Sequence, residues 1–325
     1  ARTVLVDGTT VVLQDTPENQ GKFPQTRSQK PGCGFPLMKL VGLFDLRSGA
    51  WIAVARGSKH DGEAKLVRRL FRHLRPGDTL VGDRGFCSYA MICELTGRGV
   101  DVVLRGHQCQ RADFRTGVRL GKNDHLILRK RPKGRRFARL PKDLVLRETR
   151  VRQHRPGFRT REILLVTTVL CVEEMTSDRL GSLYMQRWRI ELFFDDIKTT
   201  MRMEMLRTKS PSMACRELLM HMMAYNLVRA LVARSGADPS RASYKGTLDR
   251  IGAWGDLLWV AANARKAREI VDSLLATIVA DAVPERLGRQ EPRVRKRRPK
   301  PYQLLNKPRA KMKEIAHRNA YKKAA

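Results

Sequence analysis

The first hundred residues predict three successive strands, after which helices and strands alternate. The three strand segments are residues 3–7, 37–44 and 50–55, and they are followed by a helix over 62–74, a strand over 79–82, a helix over 86–96 and a strand over 100–104. Short turns join antiparallel neighbours, whereas a helical crossover joins parallel ones. This order predicts a mixed sheet with helices on its faces.

The middle of the chain, residues 105–161, differs from the first hundred residues in composition. It is dense in Arg and Lys, and its apolar runs are short and broken by Gly and Pro, which predicts a separate β-rich insertion. A Pro- and Gly-rich stretch, residues 16–36, is predicted to be a long loop. Later elements are a buried strand over 162–171, helices over 175–199 and 211–234, and one or two helices within 247–280.

The helix over 175–199 carries a stripe of functional side chains. Tyr184, Arg187, Glu191 and Lys198 fall within roughly 60° of one another around a helix of 3.6 residues per turn. Two cations and a phenol around one carboxylate suit a phosphate partner with a metal ion bound to the glutamate. The alternative is a solvated helix face on which Arg187 and Glu191 form an i, i+4 pair.

The net charge points to a polyanionic partner. Lys and Arg total 65 against 32 acidic residues, so the formal net charge is +33. That excess is atypical of a soluble enzyme acting on small molecules and favours nucleic acid. An anionic membrane surface is the rival, but the sequence lacks an 18-residue apolar run, so no membrane partner is expected. The six cysteines form no C-x-x-C pair, which argues against a zinc site and a disulfide framework.

Two aspartates are predicted to end strands at one edge of the sheet. Asp7 closes the segment 3–7 before a predicted turn at Gly8, and Asp83 closes the strand 79–82. Ligands bind where strands of an open sheet end, and a helix can bring Glu191 to the same edge. Three converging carboxylates are stable mainly when they share divalent cations, and oxygen-only ligation selects Mg²⁺ or Mn²⁺. Two such ions would support phosphoryl transfer on nucleic acid.

These motifs resemble those of a known family. The residues DGTT from Asp7, DTPEN from Asp15, VGDRGF around Asp83 and the pattern of Tyr184, Arg187, Glu191 and Lys198 resemble the DDE transposases of bacterial insertion sequences. The pattern is similar to the group with the Y-R-E-K signature, the insertion-sequence-four type. The resemblance covers roughly residues 3–235 and keeps the order of the family's three blocks.

The resemblance implies an RNase H-like fold, an α/β mixed sheet flanked by helices and interrupted by a β-rich insertion. The implied parts are residues 1–104 as the first part of the catalytic core, 105–161 as the insertion, 162–235 as the rest of the core, 236–283 as C-terminal helices and 284–325 as a basic tail. The tail is predicted to be disordered until it meets an anion.

The resemblance also implies the roles of the site residues. Asp7, Asp83 and Glu191 would hold two Mg²⁺ or Mn²⁺ ions, and Tyr184, Arg187 and Lys198 would contact DNA near the cleaved phosphate. Trp188 would stack on a base displaced from the duplex, or pack in the core. The implied reaction is hydrolytic nicking at the ends of the element and strand transfer by the freed 3′-hydroxyl. The implied partners are double-stranded DNA, at the element ends and at the target, and a second copy of the chain, at the nucleoid in the bacterial cytoplasm.

The sequence is also compatible with proteins that are not active transposases. The family's N-terminal helical region, which recognises the terminal repeats, is expected to be missing, so one hypothesis is an inactive transposase remnant. A second is a non-catalytic basic nucleic-acid-binding protein, and a third is a nuclease that cuts without joining. Among the remaining acids, Asp45 and Asp78 are predicted to be turn residues, Asp195 to support Glu191, and Asp196 to face solvent.

Overall fold

A nine-stranded sheet organises the protein. The structure is a computed structural model that describes residues 2–152, 162–284 and Lys311. The strands lie in the order β3-β2-β1-β4-β5-β9-β8-β7-β6. Their bounds are β1 Thr3–Val12, β2 Leu37–Asp45, β3 Trp51–Ser58, β4 Thr79–Gly82, β5 Asp101–Arg105, β6 Val118–Gly121, β7 Asp124–Lys130, β8 Asp143–Arg152 and β9 Glu162–Thr167.

The pairing directions confirm the predicted mixed sheet. Strands β1, β4 and β5 are parallel neighbours, and β2 and β3 form an antiparallel meander on the other side of β1. Helices separate the parallel strands along the chain, whereas a short turn joins β2 to β3 and the longer segment 13–36 joins β1 to β2. The observed architecture is the α/β, RNase H-like arrangement that we expected.

The predicted end of β1 at Asp7 is wrong. The strand continues through Gly8 to Val12, because its second half stays paired with β2 from Asp7↔Gly42 to Val12↔Leu37. Gly8 is extended here and makes no turn. A Cβ at Gly8 would lie only 2.9 Å from a carboxylate oxygen of Glu63, so a larger residue here would displace that carboxylate.

Eight helices accompany the sheet in the described part of the chain. They are α1 Pro17–Lys22, α2 Glu63–Arg68, α3 Tyr89–Thr96, α4 Ser177–Met185, α5 Arg189–Asp195, α6 Pro211–Ser235, α7 Tyr244–Trp259 and α8 Ala264–Ala280. The short helix α1 interrupts the predicted long loop over 16–36. None of the described helices combines the length and the apolar character that a membrane crossing needs.

The two faces of the sheet carry separate cores. Leu5 and Phe44 pack with α4, α5 and α6 on one face, while Val4 and Val6 pack with α2 and α3 on the other. Alternate residues of β1 therefore point to opposite cores, as a strand requires. Asp7 follows Leu5 by two positions and points to the face that α5 covers.

The strands within 105–161 extend the core sheet. A buried ion pair between Arg147 and Asp124, 2.5 Å long, joins β8 to the start of β7. Arg147 also donates to the main-chain oxygen of Met175 at 2.7 Å, just before α4 begins. The inserted strands thus help to fix the start of the helix that leads to Glu191. Of the predicted basic tail over 284–325, only Pro284 and Lys311 lie within the described residues.

The helix predicted over 175–199 is continuous but distorted. Thr176 caps its start by accepting from the main-chain nitrogen of Arg179, so α4 begins at Ser177 rather than Met175. A 3-10 turn over Gln186–Trp188 connects α4 to α5, and a π-helical turn over Asp196–Thr200 ends the helical run. Such turns change which side chains share a face, and π turns are frequent at functional sites.

Candidate active site

Asp7 and Asp83 are brought side by side by the parallel pairing of β1 and β4. The last paired residues are Val6 and Gly82, so Asp7 is the next residue of β1 and Asp83 is the first residue after β4. Beyond this point β4 gives way to a 3-10 turn over Arg84–Phe86, so β1 loses a neighbour on that side. The gap at this edge leaves room for other side chains to reach both aspartates.

Arg187 connects Asp7, on β1, to Glu191, on α5. Its guanidinium contacts the carboxylate of Asp7 at 3.2 Å and that of Glu191 at 3.5 Å. Glu191 is the more exposed acid, with 42% of its side chain accessible, against 25% for Asp7. One cation therefore bridges two acids that are far apart in sequence, which brings α5 to the middle of β1.

Tyr184 brings Asp83 into the same group. The Tyr184 hydroxyl donates a hydrogen bond of 3.3 Å to the Asp83 carboxylate. The ring is buried, and the Arg187 guanidinium lies 5.8 Å from its centroid. Burial raises the pKa of Tyr184 to about 12, so the phenol keeps its proton at neutral pH and acts as a donor.

The carboxylates of Asp7, Asp83 and Glu191 form the acid group, in which burial and the like charges of its neighbours raise the pKa of Asp7. Burial raises the pKa of Asp7, and the charges of Asp83 and Glu191 raise it further, while the Gly8 amide and Arg187 oppose the rise. For Arg187, burial works against the charged form, but Tyr184 and the neighbouring carboxylates leave its pKa raised. An added cation would relieve the repulsion among the three acids.

The donor chemistry of this group fits a hard divalent cation. The three carboxylates offer oxygen ligands alone, which is the preference of Mg²⁺ and Mn²⁺. Within residues 2–152 and 162–284, no three His, Cys, Asp or Glu side chains are gathered closely enough to hold one ion together. Arg187 bridges two of the acids instead, and a metal ion would have to displace this guanidinium from its position between them.

Comparison with known proteins gives the family. The sequence matches the family model described as "Transposase DDE domain" over residues 1–227. The chain belongs to this family. It is 28% identical over 313 residues to "Transposase InsG for insertion sequence element IS4" of Escherichia coli (strain K12). The aligned region covers 91% of this chain and 68% of that relative, and it confirms the resemblance to the insertion-sequence-four type.

A solved structure with similarity to this DDE-family chain is described as "Cryo-EM structure of piggyBac transposase synaptic complex with hairpin DNA". The TM-score is 0.46 at 10% sequence identity, and the match covers 90% of this chain. The chain spans 59% of the length of that solved chain.

Two other predicted DNA-contacting residues lie outside the acid group. Lys198 is half-buried in the π-helical turn, and it forms no ion pair within the described ranges. Trp188 is 37% exposed and lines a cleft of about 670 Å³ together with Leu192 and Met185. The DNA contacts expected of both residues remain predictions.

The acids at the end of α5 differ from expectation. Asp195 is exposed and accepts a hydrogen bond from Thr199 at 2.7 Å, and no contact joins it to Glu191 among the described residues. The prediction that Asp196 faces solvent is wrong. Asp196 is half-buried and pairs with the buried Arg229 at 2.8 Å, because the π turn directs it towards α6.

Two charged residues near the site, Glu63 and Arg229, are not among the predicted site residues. Glu63 begins α2, and its carboxylate lies close to Gly8, which follows Asp7, and to Gly85, which is two residues after Asp83. Arg229 supports α5 from behind, with its guanidinium 5.0 Å from the ring centroid of Phe193. The glycines at positions 8 and 85 are the sequence feature that could have indicated a nearby side chain such as Glu63. The sequence around Arg229 is that of an ordinary surface arginine on a long helix.

Proposed function

We propose that this chain is a DDE transposase that nicks DNA at the ends of an insertion element and joins the freed 3′-hydroxyl to a second phosphodiester. In the first step water adds to phosphorus and the bond to the 3′-oxygen breaks. In the second step the 3′-oxygen bonds to the target phosphorus, and a target 3′-oxygen leaves. The observation that carries the proposal is the bridge from Asp7 through Arg187 to Glu191 in a chain of this family.

Asp7, Asp83 and Glu191 would hold two Mg²⁺ or Mn²⁺ ions. When bound, the ions supply Lewis acidity, which activates the nucleophile and stabilises the leaving oxygen. Arg187 is well placed to transfer from the carboxylates to a DNA phosphate, since a guanidinium binds either group. Tyr184 keeps its proton and orients Asp83 by donating to it.

Double-stranded DNA is the proposed partner, both as element end and as target, in the bacterial cytoplasm at the nucleoid. A homodimer on DNA is proposed because two element ends must be joined together. The net charge of +33 supports binding to DNA of any sequence. Lys198 would add a phosphate contact, and Trp188 would stack on an unpaired base.

The test uses Glu191→Gln with Asp195→Asn as its matched control. Each removes one negative charge from α5, but only Glu191 contacts Arg187. We expect Glu191→Gln to abolish Mn²⁺-dependent nicking of supercoiled plasmid and to leave DNA binding intact, while Asp195→Asn keeps both. Calorimetric titration with Mn²⁺ gives a second readout that requires no DNA. Unchanged nicking by Glu191→Gln would remove this residue from the mechanism.

A non-catalytic, basic nucleic-acid-binding protein is the second candidate, and the net charge favours it. It predicts salt-dependent DNA binding with no metal-dependent nicking. The third candidate function, a nuclease that cuts without joining, is distinguished from a transposase by supplying DNA with pre-cleaved ends. Strand-transfer products from such ends require the joining step, whereas a nuclease leaves them unjoined.

A further inference from the structure

A basic cleft follows the free edge of the sheet, apart from the acid group. It has a volume of about 650 Å³ and runs along β3, the edge strand, between the end of α2 and the start of α6. Its cationic lining residues are Lys22, Arg56, Arg69 and Arg72. They come from three separate parts of the chain, and the fold alone brings them together.

Among the residues that the structure describes, no acidic side chain forms an ion pair with the cations of this basic cleft. Arg69 donates to the main-chain oxygen of Arg56, and Arg72 donates to the ring of His73, but neither contact supplies a negative charge. Asp61 is the acidic residue in the lining, and Lys65 already pairs with it at 3.1 Å. Within the described ranges no ion pair involves any of the four cations, so their charges are available to an external anion.

The start of α6 adds to the attraction for anions. Pro211 and Ser212, in the first turn of this 25-residue helix, line the basic cleft. A helix N-terminus carries a partial positive charge, which favours a nearby phosphate. Here it reinforces four side-chain cations that already face the same space.

The basic cleft is close to the acids, although it follows the edge strand β3 and Asp7 lies on β1, two strands further in. β3 runs in the same direction as β1, and Arg56 is aligned through Leu40 with Thr9, two residues beyond Asp7. Two strand spacings and two residues along the strand place the main chain of Arg56 about 12 Å from that of Asp7. A duplex rises about 3.4 Å per base pair, so about 12 Å corresponds to three or four base pairs.

We propose that this basic cleft binds the phosphodiester backbone of duplex DNA, a few base pairs from the phosphate that reacts at the acids. The proposal rests on the proposed function, since it takes the acids as the point of cleavage. Several unneutralised cations along a groove match the repeated charges of a nucleic-acid backbone. The free edge of β3 could instead accept a peptide strand, but an unpaired cluster of cations gives that partner no advantage.

The test removes charge from the basic cleft and, as a control, from elsewhere. The variant is Arg56→Gln/Arg69→Gln/Arg72→Gln. The control is Arg265→Gln/Lys266→Gln/Arg268→Gln, which takes three charges from exposed positions of α8. Fluorescence anisotropy against a duplex of about 30 base pairs and arbitrary sequence, over a range of salt, gives affinity and salt slope. Arg56→Gln alone, which leaves the Arg69 contact with the Arg56 carbonyl in place, covers the case of a misfolded triple variant.

We expect the cleft variant to lose affinity by about tenfold or more at about 0.1 M salt, with a salt slope smaller by about 2–3, since each phosphate contact contributes about 0.9. The control should change neither. Equal losses of affinity in both triple variants, or no loss in the cleft variant, would overturn the proposal. No loss in the cleft variant would instead favour a peptide strand as the partner of the free β3 edge. Failure of the wild-type protein to bind any DNA would instead refute the proposed function.

A closed circular plasmid, which has no ends, distinguishes internal DNA from DNA that terminates at the acids as the source of the bound backbone. If the cleft variant also loses affinity for the circle, the cleft holds internal DNA of the kind found at a target. If the loss is confined to the linear duplex, the cleft holds DNA that terminates at the acids. Either result supports a backbone-binding cleft.

Discussion

The ion pair between Arg229 and Asp196 tests how the helix that carries Glu191 is held in place. Arg229 is 4% exposed and pairs with Asp196 at the end of α5, and it also donates to the Tyr225 hydroxyl at 3.0 Å. Its guanidinium lies 5.0–5.2 Å from the ring centroids of Phe193, Tyr225 and Tyr244. Replacing it by Met keeps much of the volume but removes the charge and every donor.

We expect Arg229→Met to lower the free energy of unfolding by about 3–5 kcal/mol, because it leaves Asp196 half-buried without its cation. That corresponds to a fall in melting temperature of about 6–20 °C, at about 2–4 °C per kcal/mol. The double variant Arg229→Met/Asp196→Asn should be more stable than the single one, since neither position then carries a charge. Arg234→Met, an exposed position of the same helix, is the control for lost charge.

The loss should also depend on pH. Burial raises the pKa of Asp196 to about 6 despite the pull of Arg229, and removing the cation raises it further. A carboxyl whose pKa is raised in the folded state contributes stability at low pH and loses it as the pH rises through that value. Urea unfolding should therefore find Arg229→Met less destabilised at about pH 5 than at about pH 8. A loss below about 1 kcal/mol, or a double variant no more stable than the single, would refute this account.

Three further predictions concern the core and the acid group. Gly42→Ala would place a Cβ 2.8 Å from the Phe44 ring and should cost about 1–3 kcal/mol in urea unfolding. Tyr184→Phe removes the hydrogen bond to Asp83 and should slow Mn²⁺-dependent nicking, while its midpoint of urea unfolding shifts little. Asp7→Asn removes a charge that burial disfavours, so the melting temperature without metal should rise, and the stabilisation that Mn²⁺ gives the wild type should disappear. A fall in that temperature would contradict the prediction.

Local signals predicted most of the strands and helices. The turn before β4 is marked by Pro76 and Gly77, and the predicted strand 79–82 matches the observed one. Ser210 caps α6 and Pro211 begins it, the pattern expected at a helix start. The alternation of helices and strands after β3 predicted a mixed sheet, and the parallel pairs β1–β4 and β4–β5 agree with it.

Long-range contacts account for what sequence reasoning missed. Gly8 looks like a turn residue, but its lack of a side chain makes space for Glu63 within a continuous strand. Asp196 sits on a helix face that an ideal helix would expose, and the π turn changes that face. Helical spacing alone predicted the stripe of Tyr184, Arg187, Glu191 and Lys198. In the structure Arg187 contacts Asp7 and Glu191, and Tyr184 contacts Asp83, while the roles of these residues remain predictions.

The pairing of Asp7 with a partner as distant as Arg187 has a consequence for synthesis on the ribosome. The two strand aspartates emerge early, whereas Glu191 is translated about 5–20 s after Asp83 at usual rates of elongation. Its helix then needs Arg229, on α6, to hold it in place. A growing polypeptide therefore cannot assemble the trio of acids until α6 has left the exit tunnel, so a product that terminates earlier lacks the complete group.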